Sequence, residues 1–411
     1  MATETKQPGG ARRRILVGMP FTPRLDAKHG GKAPSQLLLH LAERNDVAIV
    51  CLRERDEGPV DSAIRARCAF VEEVPIELAD SPWQRRARWA VGILGGLPPW
   101  ASDCRSRVLA DRLRRAVEEW RPAIVELHLQ VMAQYAKGLV GTPAARILVD
   151  YDPGSAWAAD LVGETHGARR IARRIEALTW SRYERATRDH LQAVVVFAER
   201  DVEALARTAR GVPIVRIPLA IDVPERGLDP EGVPGVVLFV GGFGHPPNVD
   251  AARWLAESIF PRVRERVDEA TLELVGNEPG DEVLQLAGVG ISVHGSVPDV
   301  TPFLDRAAVV VAPIRIGGSM RMKVLEALGA GKALVATPRA AEGVEAVPGV
   351  HFLLAESTEE VADAIAKLLL DSTRRGELGR RARSWAVDHL GWERSVAAFE
   401  ELYDSLGSER G

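Results

Sequence analysis

The strongest constraint on this chain is a repeated alternation of short Val/Ile-rich runs with helix-like stretches, which stops once and then restarts. The first series of runs is Arg14–Gly18, Val47–Leu52, Ala123–Leu127, Ala145–Val149, Ala193–Phe197 and Ile214–Ile217, with a helical pattern from Ser35 to Leu41 between the first two. The second series is Val236–Val240, Thr271–Val275, Gly290–Val293, Ala308–Ala312 and Ala333–Ala336. Apolar runs of this length, separated by helices, read as parallel strands covered on both faces. Helices are expected at Asn248–Val267, with Asn248 as N-cap, at Met320–Ala330 and at Thr358–Leu370. Residues 218–234 lack periodicity, are rich in Pro, Gly and acidic residues, and read as a linker. The expectation is an α/β protein of two doubly wound domains, 1–220 and 221–390, facing a cleft. Residues 391–411 form a last helix. In it Trp392, Val396, Phe399, Tyr403 and Leu406 share one face, which is expected to pack back on the first domain.

A length of 411 residues also calls for two domains. The net charge of −4 hides a division. Residues 1–220 carry 34 Lys+Arg against 27 Asp+Glu, and residues 221–411 carry 19 against 30. A basic front half and an acidic back half imply different partners for each. Cys51, Cys68 and Cys104 are too few and too scattered for a disulfide framework or a zinc site, which fits a reducing compartment. The apolar run after Arg12–Arg14 is too short for a signal peptide, and no run approaches a membrane span. The expected location is cytoplasmic, with peripheral contact at the inner face of the cell membrane left open.

Ligands of open α/β sheets bind in loops beyond the strand C-terminal ends. Three such loops are glycine-rich: Thr22–Lys32 with Gly30-Gly31, Gly241-Gly242-Phe243-Gly244, and Gly317-Gly318-Ser319-Met320, which leads into a helix. Glycine lets backbone approach a phosphate closely, and a helix N-terminus offers free N–H groups. Arg321 and Lys323 fall in the first turn of that helix, where cations oppose the macrodipole unless an anion compensates. A diphosphate held there resolves the conflict and leaves Glu326 to accept from ribose hydroxyls. Solvated cations and an ion-paired Glu are the plainer alternative. Neither leading strand is followed by a Walker A sequence or by Gly-x-Gly-x-x-Gly, so kinase, ATPase and simple dehydrogenase functions lack support.

At these residues the chain resembles the retaining nucleotide-sugar glycosyltransferases of the GT-B fold, the group 1 (GT4) family. The resemblance is carried by Glu326-Ala-Leu-Gly-Ala-Gly-Lys-Ala-Leu-Val-Ala-Thr337, the strand Ala307–Pro313, the loop His294-Gly-Ser-Val297-Pro-Asp299 and the linker Ile217-Pro-Leu-Ala-Ile-Asp222. Pro247–Trp254 and Val131–Tyr135 point to the branch linked to exopolysaccharide sugar transferases. The family implies two Rossmann-like domains, the first on the acceptor side and the second binding a nucleotide-diphosphate sugar. It also implies transfer with retention to a glycan, lipid-linked or small-molecule acceptor in bacterial polysaccharide or glycoconjugate synthesis. Neither cofactor nor metal is expected. Donor contacts are implied for Gly30, Gly31, Gly241, Gly242, Val297, Gly317, Gly318, Ser319, Met320, Arg321, Lys323 and Glu326.

Two departures stand out. Gly318 occupies the place of the first of the family's paired glutamates, and Gly241–Pro247 lacks the usual Arg and Lys. Arg321 and Lys323 are then expected to supply the missing charge. His128 follows a strand where the family places an active-site histidine, so it joins Arg321, Lys323 and Glu326 as a catalytic candidate. Asp150-Tyr-Asp152 reads as loop-start carboxylates and not as a metal site. Two stretches of the front domain, Trp83–Trp89 and Arg169–Arg188, combine arginines with aromatic or apolar residues. They fit either a solvated arginine face over core contacts or an anionic membrane surface. No reader motif supports nucleic acid. The rival functions are a nucleotide-sugar epimerase of the same fold and a non-catalytic binding partner.

Overall fold

Along the first strand, Ile15 and Val17 point to one side and Leu16 to the other, all fully buried. A sheet that hides both faces needs helices on both, and the chain supplies them. The computed structural model describes residues 12–26, 31–76, 81–164, 167–207, 211–317 and 322–408. The first lobe holds β1 (Arg14–Met19), β2 (Asp46–Glu54), β3 (Cys68–Ile76), β4 (Ile124–His128), β5 (Ala145–Val149), β6 (Ala193–Val196) and β7 (Ile214–Arg216). They pair in the order β3-β2-β1-β4-β5-β6-β7, all parallel. The second lobe holds β8 (Val236–Val240), β9 (Thr271–Val275), β10 (Ile291–His294), β11 (Val309–Ala312), β12 (Leu334–Ala336) and β13 (Leu353–Leu354). Their order is β10-β9-β8-β11-β12-β13, also parallel. Both lobes are Rossmann-like. Strand order reverses between β1 and β4 and again between β8 and β11, and at such reversals the connecting loops part to leave a crevice.

Two strands depart from the sequence expectation. β3 sits at the sheet edge and is interrupted by Glu72, Glu73 and Pro75, which an edge strand tolerates because one side of its backbone needs no partner. Glu73 there accepts from Arg53 at 2.9 Å and also pairs with Arg65. β13 is only two residues long, too short to leave a periodic signal. The helix expected from Asn248 begins instead at Pro246, capped by the His245 backbone. Two prolines in the first turn lack only N–H groups that a helix start leaves unpaired anyway. Asn248 is therefore inside the helix, and its side chain is used elsewhere. Farther along, a π turn at Leu255–Ile259 precedes Pro261, whose ring and missing N–H do not fit an unbroken α ladder.

The helix Trp392–Ser408 crosses to the first lobe. Trp392, Val396, Phe399, Tyr403 and Leu406 join Ile15, Val17, Ile49 and Val149 in one core, while Leu16, Val50, Val125 and Leu148 face the opposite one. The second lobe has its own core around Leu238, Leu274 and Val310. Chain crosses between lobes twice, and the crossings meet where Ile221 N–H donates to the Leu390 carbonyl at 3.0 Å. Asp222 of the linker accepts from Trp392 Nε1 at 2.7 Å and from Gln36, so the linker is tied to the first lobe. Across the cleft, Arg200 and Arg339 each pair with both Asp160 and Glu342, and Arg216 reaches Glu345 at 2.9 Å.

Candidate functional site

At the second lobe's strand reversal, β8 ends in Val240 and turns through Gly241-Gly242. The Gly241 N–H donates to the Val275 carbonyl, and Phe243 N–H to Asn277, so this loop lies against the end of β9. The approach is close enough that a Cβ on Gly276 would stand 1.8 Å from the Gly241 oxygen. Asn248, in the first turn of the following helix, donates to the Gly242 carbonyl at 2.8 Å and accepts from Lys323 Nζ. One side chain thus fixes both the glycine loop and the lysine. The Lys323 ammonium also lies 4.8 Å from the centre of the Phe239 ring, a cation–π contact. Half-buried His245 sits beside it. Burial, with the neighbouring Lys323 charge added, holds its imidazole below the ordinary value, which favours the neutral form at pH 7.

The second strand of the reversal, β11, leads through Pro313–Gly317. Gly317 has φ +77°, and a Cβ there would meet Pro247 Cγ at 2.8 Å, so glycine is required for both reasons. Arg315 in this loop is occupied by Asp250 at 2.6 Å and by the face of Trp254, away from the glycine turns. Gly318, Ser319, Met320 and Arg321 lie outside the described residues, as does Gly30. The helix Met322–Ala330 then carries Lys323 in its first turn and Glu326 one turn on. Both line a small recess whose wall is otherwise apolar: Val240, Val300, Leu304, Val310, Val311 and Ala312. Val297 packs half-buried against the same lobe's core.

Glu326 faces the other lobe. Its Oε1 lies 3.3 Å from Nζ of Lys32, the residue after Gly31 and the first of the helix Lys32–Arg44. Gly31 precedes that helix, and its carbonyl accepts from Ser35 N–H and Oγ. Asp299 is close enough to feel Lys32. Hydrogen bonds from Thr301 chiefly, and the lysine charge in addition, hold its carboxyl below the ordinary range.

His128 does not belong to this group. It is 0% exposed, and both ring nitrogens are engaged inside the first lobe: Nε2 with Glu126 Oε2 at 3.0 Å, Nδ1 with the Tyr151 hydroxyl at 3.2 Å. The Tyr403 hydroxyl donates to the other Glu126 oxygen at 2.6 Å. The expectation of a substrate-contacting histidine is therefore corrected: the buried carboxylate one pleat away turns His128 inward. Asp150 is likewise buried, among Glu184 and Arg188, and burial raises its carboxyl well above the usual range. Lys332, inside the Glu326–Thr337 block, is structural too. Its ammonium donates to the carbonyls of Asp229 and Asp305, and burial pulls it down to about 8.

Sequence reasoning missed Lys32, Asn248 and His245. The signal that singled out Arg321 and Lys323, a cation in the first turn after paired glycines, was equally present at Gly30-Gly31-Lys32. Asn before an apolar run usually caps a helix, and that habit hides the role of Asn248 in the sequence.

Residues 234–371 match the family described as Glycosyl transferases group 1. A GDP-mannose-dependent alpha-(1-6)-phosphatidylinositol monomannoside mannosyltransferase of Mycobacterium tuberculosis is 31% identical over 159 residues, 35% of this chain and 41% of that protein. An uncharacterized glycosyltransferase of Methanocaldococcus jannaschii is 27% identical over 92 residues, 22% of this chain and 24% of its own. The chain thus spans less than half the length of these relatives. Among solved structures, sucrose-phosphate synthase from Thermosynechococcus elongatus superposes on 97% of this chain and 100% of its own, with TM-score 0.72 at 14% identity. Anabaena HepE in complex with UDP and glucose covers 96% and 99%, with TM-score 0.63 at 11% identity. At such identities the likeness is one of fold, the two-lobed GT-B arrangement.

Proposed function

We propose that this chain is a group 1 glycosyltransferase that moves a sugar, with retention, from a nucleoside-diphosphate donor to a glycan, lipid-linked or small-molecule hydroxyl in bacterial polysaccharide or glycoconjugate synthesis. The observation that carries this reading is the pairing of Lys323 and Glu326 on one helix turn, at the strand reversal of the lobe whose sequence matches the family. An ammonium for phosphate, a carboxylate for ribose hydroxyls and an apolar wall for the base stand there together. Related proteins leave the nucleotide open, since HepE was solved with UDP and the mannosyltransferase uses GDP-mannose.

In the reaction the bond from sugar C1 to the β-phosphate oxygen breaks, and its electron pair stays on the departing nucleoside diphosphate. The acceptor oxygen bonds to C1 on the face the leaving group vacates, and its proton passes to a phosphate oxygen of the leaving group. Charge grows on the diphosphate, so fixed cations and N–H dipoles aimed at it carry the rate effect. Lys323, positioned by Asn248, fills the role that a divalent cation plays elsewhere, and Arg321, two residues before it in the sequence, is expected to add to it. Closure of the lobes excludes water and so suppresses hydrolysis.

For the acceptor, a lipid-linked or glycan molecule at an anionic surface is favoured by the outer part of the helix Gly167–Arg188. There Ile171 and Leu178 are 62% and 67% exposed among arginines. Trp83, on the helix Pro82–Leu94, is 77% exposed, while Arg85 and Trp89 of the same stretch are anchored on Asp103. Among the described residues no helix is long and apolar enough to cross a membrane. The test is release of UDP or GDP from a panel of nucleotide sugars with lipid-linked and glycan acceptors. Release with a glycosylated product is expected, and Lys323→Ala or Glu326→Ala should abolish it with folding intact. Normal turnover in both variants would sink the assignment.

A further inference from the structure

We propose that Lys32 is a catalytic residue contributed by the first lobe: it holds Glu326 while the donor is absent, and moves onto the diphosphate when the donor claims Glu326. The proposal rests on the glycosyltransferase reading above.

Glu326 has two suitors. Its carboxylate is engaged across the cleft by the Lys32 ammonium at 3.3 Å, yet it also rims the recess where ribose hydroxyls would need it. A carboxylate has lone pairs for both, but ribose hydroxyls bonded to it weaken its hold on the ammonium, so donor binding loosens the interlobe ion pair. Lys32 is free to respond. Its side chain is 47% exposed, its stem has four rotatable carbons, and its helix is anchored independently by Gln36 on the linker and Leu37 in the first lobe's core.

The place it would go is close by. Lys323 and Glu326 are three residues apart on one helix, hence neighbours on its surface with Cβ atoms about 5–6 Å apart. A lysine that reaches Glu326 therefore reaches a phosphate held at Lys323 by a swing of a few ångströms. Charge favours the swing. Without donor, Lys32 balances the acidic rim of Glu326 and Asp299. With donor, Glu326 is satisfied by hydroxyls and the largest uncompensated negative charge is the diphosphate. As C1 separates from the β-phosphate oxygen, the electron pair left on that oxygen strengthens its attraction to Lys32 and Lys323. The contact is thus stronger in the transition state than in the ground state, and contacts of that kind accelerate the step. Because Lys32 belongs to the opposite lobe, its cation reaches the diphosphate only while the lobes stand as near as the 3.3 Å contact with Glu326 holds them, which links catalysis to the exclusion of water.

This arrangement makes two effects of opposite sign for one substitution. In Lys32→Ala, UDP and GDP should bind the protein about tenfold more weakly, because a phosphate contact is lost. Uridine and guanosine should bind as well as to the wild type or a few-fold more tightly, because Glu326 no longer shares its charge with an ammonium. With the cognate nucleotide sugar, kcat should fall about 10- to 100-fold, and Lys32→Arg should restore most of it. Titration calorimetry of the four probes on wild type and both variants, with turnover measured alongside, reads all of this. Equal weakening of nucleoside and diphosphate, or unchanged diphosphate affinity and kcat, would overturn the role of Lys32 while the transferase reading stood. A wild type that binds neither diphosphate and releases none from any nucleotide sugar would overturn both.

Discussion

The molecule contains the same strand reversal twice, and the side chains at the two are arranged in opposite ways. In the second lobe, the reversal between β8 and β11 ends in glycine turns, an apolar recess and two charged side chains, Lys323 and Glu326, left at its rim. In the first lobe, the polar groups at the end of β4, beside β1, point inward. Glu126 and His128 bond to each other, to Tyr151 and, across the packing of the last helix, to Tyr403. One reversal leaves its polar groups at the rim of a recess, and the other uses them to hold the carboxy-terminal helix. Topology offers a place for binding, and side chains decide whether it is taken.

Substitutions can break this contrast in either half. The largest effect is expected at the open end: Lys323→Ala or Glu326→Ala should reduce transfer at least 10³-fold, about 4 kcal/mol of transition-state stabilisation, with the denaturation midpoint unmoved. Glu126→Ala should do the reverse. It strands His128 and the Tyr403 hydroxyl without their buried acceptor, which costs roughly 3 kcal/mol of stability in urea unfolding, while nucleotide affinity is retained. If nucleotide affinity instead collapsed in a folded Glu126→Ala protein, the first lobe's network would be part of the site after all. Tyr403→Phe removes one hydrogen bond to the same carboxylate and should cost about 1–3 kcal/mol by the same measurement.

A smaller, pH-dependent effect distinguishes the block residue Lys332 from the site residues beside it. Its folded value, about 8, lies below the ordinary 10.5, so between these pH values the unfolded chain binds the extra proton. Stability contributed through this residue therefore rises with pH from about 8 to 10.5. The wild type should gain on Lys332→Met across that window, by at most about 1.4 kcal/mol per pH unit. A flat difference between the two proteins would show that burial does not perturb this lysine.

Much of the fold was legible because β1, β2, β8 and β11 are uninterrupted apolar runs, which only a doubly covered sheet explains. The edges were not. β3 carries two glutamates and a proline because one side of it has no strand to pair with, and that is the same reason it leaves no clean pattern. For the site, the helix bearing Lys323 and Glu326 was recognisable from a local electrostatic conflict, a cation in the first turn. His128 misled because its neighbour two residues back is a buried carboxylate, and sequence order does not say that Tyr403, 275 residues away, closes the network. Lys32 shows the converse. Its local signal was present, but its partner on the other lobe could be found only once the two lobes were seen together.

The charge division between the halves also acquires a structural form. Exposed arginines with Ile171 and Leu178 mark the first lobe's outer surface, and Lys323 stands as a local cation within the acidic lobe. The most direct test of the central claim is the thermal shift of wild type and Lys323→Ala with UDP, GDP and their sugar conjugates. The account predicts that one nucleotide series raises the wild-type melting temperature by several degrees and leaves the variant unmoved. Equal stabilisation of both proteins, or of neither, would contradict it.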